Sequence, residues 1–195
     1  VIIMKIEIIM LFLLVIVLLI FLLPHTEEDG KERAGKEGEI LAGKMIHQYL
    51  NEQDILFNNV EIVVHGRETE LDYVVINKNG VFIFEVKNYS GELEGNEDDE
   101  YWNKYKISSG NNEYVKEVRN PIKQLKREIY LLKEYLKYYG IDLWINGYVL
   151  FVNMNSPIDS DYTINNESEL NSILHTRGGQ TLNKKQIEKI VNILK

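Results

Sequence analysis

The sequence predicts a mixed α/β domain behind an apolar N-terminal segment. Three observations predict it. Apolar residues recur at helical spacing, then in three strand-like runs, then at helical spacing again before a further strand and a closing helix. Asn77-Lys78-Asn79-Gly80 separates two of the strand-like runs, a hairpin signal because Asn and Gly tolerate the positive φ of tight turns. From Ile8 to Leu23, sixteen consecutive residues carry no polar side chain.

As a helix that apolar run is about 24 Å long, somewhat short of a hydrocarbon core of about 30 Å. The turns around Lys5 and Glu7 complete a span, because their charged heads can snorkel to the interface. A cleaved secretory signal also has a basic start and an apolar middle, but Phe21-Leu22-Leu23-Pro24 stand where cleavage needs small residues. Residues 1–23 are therefore expected to be a single-pass transmembrane anchor. Lys31, Arg33 and Lys36 outnumber Lys5 across the span, which favours a cytoplasmic C-terminal domain. Residues 24–37 (PHTEEDGKERAGKE) are expected to be a polar linker, and residues 38–195 the domain.

Within the domain a first helix is expected from about Glu37 to Asn51, on the spacing of Ile40, Leu41, Met45, Ile46, Tyr49 and Leu50. Strands follow at Val60–His65, Leu71–Ile76 and Val81–Tyr89. Residues 96–120 read as polar and irregular, with Trp102 and Tyr105 as anchors. The next helix is punctuated at both ends: Asn120 can cap it, Pro121 suits its first position and Gly140 its stop. Ile122, Leu125, Ile129, Leu132 and Leu136 make one buried stripe between them. Gly147–Val152 is a strand, a short helix lies near Glu169–Leu174, and a closing helix starts at about Asn183, where Asn183 and Gln186 resemble a capping box.

Composition excludes some chemistry. With no cysteine there are no disulfides and no thiolate metal sites. A net charge of −8 opposes non-specific coating of nucleic acid but is compatible with carboxylates gathered around a cation. The charge is uneven: residues 92–100 (ELEGNEDDE) are acidic, while residues 101–140 hold nine Lys or Arg against four Glu.

The hairpin permits a geometric deduction. A Lys78-Asn79 loop sets Asp72 opposite Glu85, and an Asn79-Gly80 loop sets it opposite Lys87. Side chains alternate along a strand and paired residues share a face, so either register puts Asp72, Glu85 and Lys87 on one face. Two carboxylates about 5 Å apart repel by roughly 3 kcal/mol at an effective dielectric near 20. Lys87 offsets part of this, and a divalent cation would offset more. Such a cation can activate water and stabilise a leaving phosphodiester oxygen. The plain alternative is an Asp72–Lys87 cross-strand ion pair worth about 0.2–1 kcal/mol.

Several stretches in order resemble the nuclease-related domain family of the PD-(D/E)xK nuclease superfamily. They are Gly35-Lys36-Glu37-Gly38-Glu39, the Glu70–Ile76 stretch ELDYVVI, the Gly80–Gly91 stretch GVFIFEVKNYSG, Trp102, and Asn120-Pro121-Ile122-Lys123-Gln124. The resemblance covers about residues 35–155. It implies a restriction-endonuclease-like fold, a central mixed sheet flanked by helices, and a role in DNA processing. It also implies that Asp72 and Glu85, with the carbonyl of Val86, hold Mg²⁺ or Mn²⁺, and that Lys87 orients the attacking water. Glu39 would reach the metal directly or through water, and Gln124 would order phosphate or the acidic residues. Leu71 precedes Asp72 where the superfamily pattern has proline, a position of backbone shape rather than ligation.

Lys123, Lys126 and Arg127 on the second helix are candidates for following a phosphate backbone, against the plainer reading of a solvated helix face. Trp102 is read as an anchor rather than a base-stacking ring, and the four scattered histidines as structural. The expected activity is metal-dependent hydrolysis of nucleic acid, DNA foremost, at a membrane. The alternative is the same fold kept as an inactive nucleic-acid- or protein-binding module.

Overall fold

The structure is a computed structural model that describes residues 13–15, 27–107, 113–153, 158–176 and 180–195. The chain divides into two compact units, Val1–Ala34 and Gly35–Lys195. The expected membrane span at residues 1–23 lies, apart from 13–15, outside the described residues. Among the described residues no helix is long and apolar enough to cross a membrane.

Helix α1 runs Glu27–Gln48, so most of the stretch expected to be linker is helical. That stretch has no apolar periodicity to betray it. It is rich in Glu, Lys, Arg and Ala, which favour helix intrinsically, and its first turn is acidic. The inner face of α1 also differs from expectation. Ala42, Met45 and Ile46 are buried, while Ile40 and Leu41 are exposed. Small residues explain the rotation: a Cβ on Gly43 would stand 2.5 Å from the Tyr73 hydroxyl, and one on Gly38 2.6 Å from Asn88 Cβ.

Strands β1 (Ile55–Val64) and β2 (Arg67–Asn77) pair antiparallel around His65-Gly66, both at positive φ. Strand β3 (Gly80–Lys87) pairs with β2 from Asn77↔Gly80 to Tyr73↔Phe84, so Lys78-Asn79 is the loop. The asparagines of this turn are not at positive φ; only Gly80 is. They act instead as hydrogen-bonding groups. The side-chain amides of Asn77 and Asn79 both donate to the Leu174 carbonyl, at 3.1 and 3.0 Å.

Strand β7 (Ile145–Phe151) pairs parallel with β3, and β8 (Thr163–Ile164) parallel with β7, giving the order β1-β2-β3-β7-β8. The parallel step needs a crossover, and helix α2 (Pro121–Tyr138) lies within it. Ile122, Leu125, Leu132 and Leu136 of α2 meet Val74, Ile76, Val81 and Ile83 on one sheet face, with Ile190 and Leu194 of helix α4 (Lys184–Leu194). On the other face Tyr73, Val75, Phe82, Phe84 and Val86 meet α1 and helix α3 (Glu167–His175). Helices therefore cover both faces of a mixed sheet, and β3 reads as a continuous apolar run for that reason.

Both helix punctuation signals appear as structure. The Asn120 side chain accepts from Ile122 N–H, and Asn183 and Gln186 form a capping box. The buried stripe of α2 shifts, however. Ile129 is only partly buried, and Glu128 takes a buried position beside it.

The described part of residues 96–120 is not irregular. It belongs largely to a three-stranded antiparallel sheet of β4 (Glu92–Glu94), β5 (Tyr101–Ile107) and β6 (Glu113–Arg119). Charged residues alternate with aromatic and β-branched ones, and most described side chains remain partly or fully exposed, so no one-sided apolar pattern marked the strands. Trp102 anchors the sheet. It is fully buried, its ring lies 6.4 Å from that of Phe151, and its indole N–H donates to the Asn96 carbonyl at 2.8 Å.

Candidate active site

The β2–β3 ladder stops at Tyr73↔Phe84. One step further brings Asp72 opposite Glu85, on the sheet face covered by α2. There the backbone partner changes: the Val86 N–H donates to Asp72 Oδ2 at 2.7 Å. The Val86 side chain belongs to the opposite face, so only its backbone can serve the site.

Lys87 Nζ donates to Glu85 Oε1 and, at 3.3 Å, to Gln124 Oε1. Gln124 Nε2 donates onward to Glu128 Oε1 at 2.9 Å. The structure thus brings Asp72, Glu85, Lys87 and Gln124 together and adds Glu128. Glu85 is 1% exposed and Glu128 2%, and the Oε2 atom of each is buried without a hydrogen-bond partner. Buried carboxylate oxygens of this kind are costly unless a proton or a cation satisfies them.

The electrostatics follow from that crowding. Burial, then the charge of Glu85, pushes Asp72 up to about 7, against the pull of the Val86 N–H and Lys87. Burial and Glu85 push Glu128 up to about 9, with the Gln124 bond opposing, so at neutral pH Glu128 carries a proton it can offer to Glu85. Burial works against the Lys87 ammonium, yet the Glu85 carboxylate beside it prevails and its pKa is raised.

Glu39 stands apart. It is half-buried on α1, and its backbone carbonyl accepts from the Tyr73 hydroxyl at 2.8 Å. Its carboxylate is the least of the named influences on Asp72. Among the described residues no three His, Asp or Glu side chains stand close enough to hold a cation by themselves. Asp72 and Glu85 Oε2, in place of the Glu128 proton, nonetheless fit a hard divalent cation that keeps several waters and takes phosphate oxygens, as Mg²⁺ does with one or two carboxylates.

The basic residues of α2 are differently engaged. Lys123 pairs with Glu100 at 2.9 Å, and Lys126 with Glu97 at 2.5 Å while lying 4.5 Å from the Tyr162 ring centre. Arg127 is exposed. The acidic segment 97–100 therefore neutralises much of the helix face expected to follow phosphates.

Glu128 escaped the sequence reading, yet it left a signal. Ile122, Leu125, Glu128 and Leu132 fall at spacings of three, three and four, so an acid occupies an inward position four residues after Gln124.

A strand bearing Asp72, its hairpin partner bearing Glu85-Val86-Lys87, and a helical crossover bearing Gln124 make this a nuclease-like domain of the PD-(D/E)xK class. The model of the nuclease-related domain family matches residues 34–152, more than half of the 195 residues, and the chain belongs to that family. A protein of Bacillus anthracis, itself described as uncharacterized, is 31% identical over 97 residues, which are 49% of this chain and 46% of that protein. The chain thus matches less than half the length of this relative. No solved structure matches.

Proposed function

We propose that the domain hydrolyses phosphodiester bonds in nucleic acid, DNA foremost, using Mg²⁺ or Mn²⁺ held by Asp72 and Glu85. One observation carries the reading: two carboxylates and an ammonium share one sheet face, and the second oxygen of buried Glu85 meets only the exchangeable proton of Glu128. When bound, the cation supplies an activated water and neutralises charge on the leaving oxygen. The protein groups do the rest. Lys87, held between Glu85 and Gln124, presents its ammonium where the attacked phosphate gathers charge. The Gln124 amide is oriented by Glu128, so its oxygen rather than its nitrogen faces Lys87. The Val86 N–H holds Asp72 at the open end of the ladder, and Glu39 at the edge of the site reaches the cation directly or through water.

We further propose that residues 1–23 tether this activity to the cytoplasmic face of a membrane; their uninterrupted apolar run supports it. Protease accessibility of the C-terminus in intact cells tests the orientation, and digestion without permeabilisation refutes it.

A purified Gly35–Lys195 unit is expected to cleave DNA with Mg²⁺ or Mn²⁺. Asp72→Asn and Lys87→Ala should lose about 10²- to 10⁴-fold in rate. Equal cleavage by wild type and both variants sinks the assignment. A binding module without turnover is the second reading, favoured by the Lys87 ammonium resting on a Glu85 oxygen. It predicts no heat of Mn²⁺ binding in calorimetry.

A further inference from the structure

The sheet β4–β6 sorts its charge by face. Cross-strand partners share a face, and neighbours along a strand alternate. The pairs Trp102↔Val118, Lys104↔Lys116 and Lys106↔Tyr114 put three lysines on the face that carries Trp102. The pairs Glu92↔Tyr105, Glu94↔Asn103 and Asn103↔Glu117 put three glutamates on the other, with Arg119 opposite Tyr101 at its end. No acid among the described residues of this sheet lies on the lysine face.

Lys104 and Lys116 are direct partners, and like charges directly opposite each other destabilise a sheet. A polyanion laid across the face offsets that repulsion.

The lysine face also leads to the active site. Trp102 packs on Phe151, which pairs with Lys87 across β3 and β7. Lys104 Nζ stands 4.8 Å from the centre of the Tyr89 ring, and that ring lies 6.4 Å from the ring of Phe151, the cross-strand partner of Lys87. Lys87, Tyr89 and Lys104 therefore form a continuous path outward, with Lys116 beside Lys104 and Lys106 beyond it. Lys104 and Lys106 are about 6.8 Å apart along the strand at roughly 3.4 Å per residue, about two phosphate rises on one DNA strand. Tyr114, 46% exposed, lies opposite Lys106.

We propose that this face of β4–β6 is the nucleic-acid-binding surface of the domain. Lys104, Lys106 and Lys116 take consecutive stretches of the sugar–phosphate backbone leading into the site, and the Tyr114 ring takes a base. The assignment rests on the reading that the neighbouring site acts on nucleic acid. The glutamate face opposite repels the same backbone and so sets its side of approach.

The test measures binding of fluorescein-labelled duplex and single-stranded oligonucleotides to the full chain by anisotropy, in EDTA so that nothing is cleaved. Lys106→Gln/Lys116→Gln should weaken binding about tenfold or more and reduce the slope of log Kd against log salt by roughly 1.4–1.8. Lys106→Arg/Lys116→Arg should bind as wild type, which separates lost charge from lost folding. Glu92→Gln/Glu117→Gln should keep the salt slope. An unchanged Kd and slope in the glutamine pair overturns the proposal, as does a loss confined to phosphatidylserine vesicles with oligonucleotide binding intact. Oligonucleotide binding that follows these lysines in a chain that never cleaves with Mn²⁺ keeps the surface and removes the catalytic reading. Cleavage by a chain whose binding ignores them does the reverse.

Discussion

Glu128→Gln perturbs the buried carboxyl cluster at its centre. The glutamine keeps the size of the side chain and an oxygen to accept from Gln124 Nε2, and it removes only the titrating group. Without a divalent cation the Glu128 carboxyl rises from 4.5 to about 9 on folding. Below about pH 4.5 it is protonated in both states and costs nothing. As pH rises from there, the unfolded chain releases the proton while the folded protein keeps it, so stability is lost progressively up to about pH 9. Each unit is about 1.36 kcal/mol, so roughly three units up, at about pH 7.5, the penalty is on the order of 4 kcal/mol. The variant is therefore expected to exceed wild type by up to about that amount at neutral pH and to match it near about pH 4.5. Urea unfolding of the Gly35–Lys195 unit in EDTA, repeated across this range, reads the difference directly. A gap between the two proteins that does not change with pH refutes the reasoning, because a packing effect of the amide carries no proton.

Three further outcomes follow from the same geometry. Asp72, at about 7 in the metal-free site, must release its proton to bind a cation, so Mn²⁺ affinity should climb as pH rises through 7. Calorimetry in buffers of different ionisation heat should show proton release that Asp72→Asn abolishes, and a flat pH profile contradicts it. Asn120→Ala removes the cap on Ile122 N–H and the two amide N–H groups shared among the carbonyls of Asn96, Glu97 and Asp99. A loss of about 2–3 kcal/mol in thermal or urea unfolding is expected, and a loss under about 0.5 kcal/mol counts against the network. Gly147→Ala places a Cβ 2.6 Å from Ile129 Cδ1 between β7 and α2. It should lower the urea midpoint, at unchanged slope, by an amount equal to about 1–3 kcal/mol, and an unchanged midpoint contradicts the close approach.

What could be read from the chain alone depends on short-range geometry. Asp72, Glu85 and Lys87 share a face because strands alternate with period two and hairpin partners align, whichever two-residue loop closes the turn. Asn120, Pro121 and Gly140 bound a helix because capping uses groups only a few residues away, and Asn183 with Gln186 does the same at the last helix. The family pattern was equally legible, since it is carried by contiguous motifs along residues 34–152.

Tertiary structure decided the rest. The first turns of α1 have helix-favouring residues but no apolar face, so propensity alone had to mark them. Strands β4–β6 show no one-sided apolar pattern, and only their mutual pairing makes them a sheet that divides lysine from glutamate. Lys123 and Lys126 read either as phosphate ligands or as a solvated helix face, and only the folding of residues 97–100 against α2 pairs them with Glu100 and Glu97. Glu128 bears no local mark beyond its inward spacing, and only the rotation of α2 on the sheet turns it toward Glu85. By itself the sequence determined which face holds Asp72, Glu85 and Lys87, because that follows from local parity. Which carboxyl joins them, and which lysines are paired with acids or gathered on one sheet face, depended on contacts between residues tens of positions apart, and no local rule encodes those.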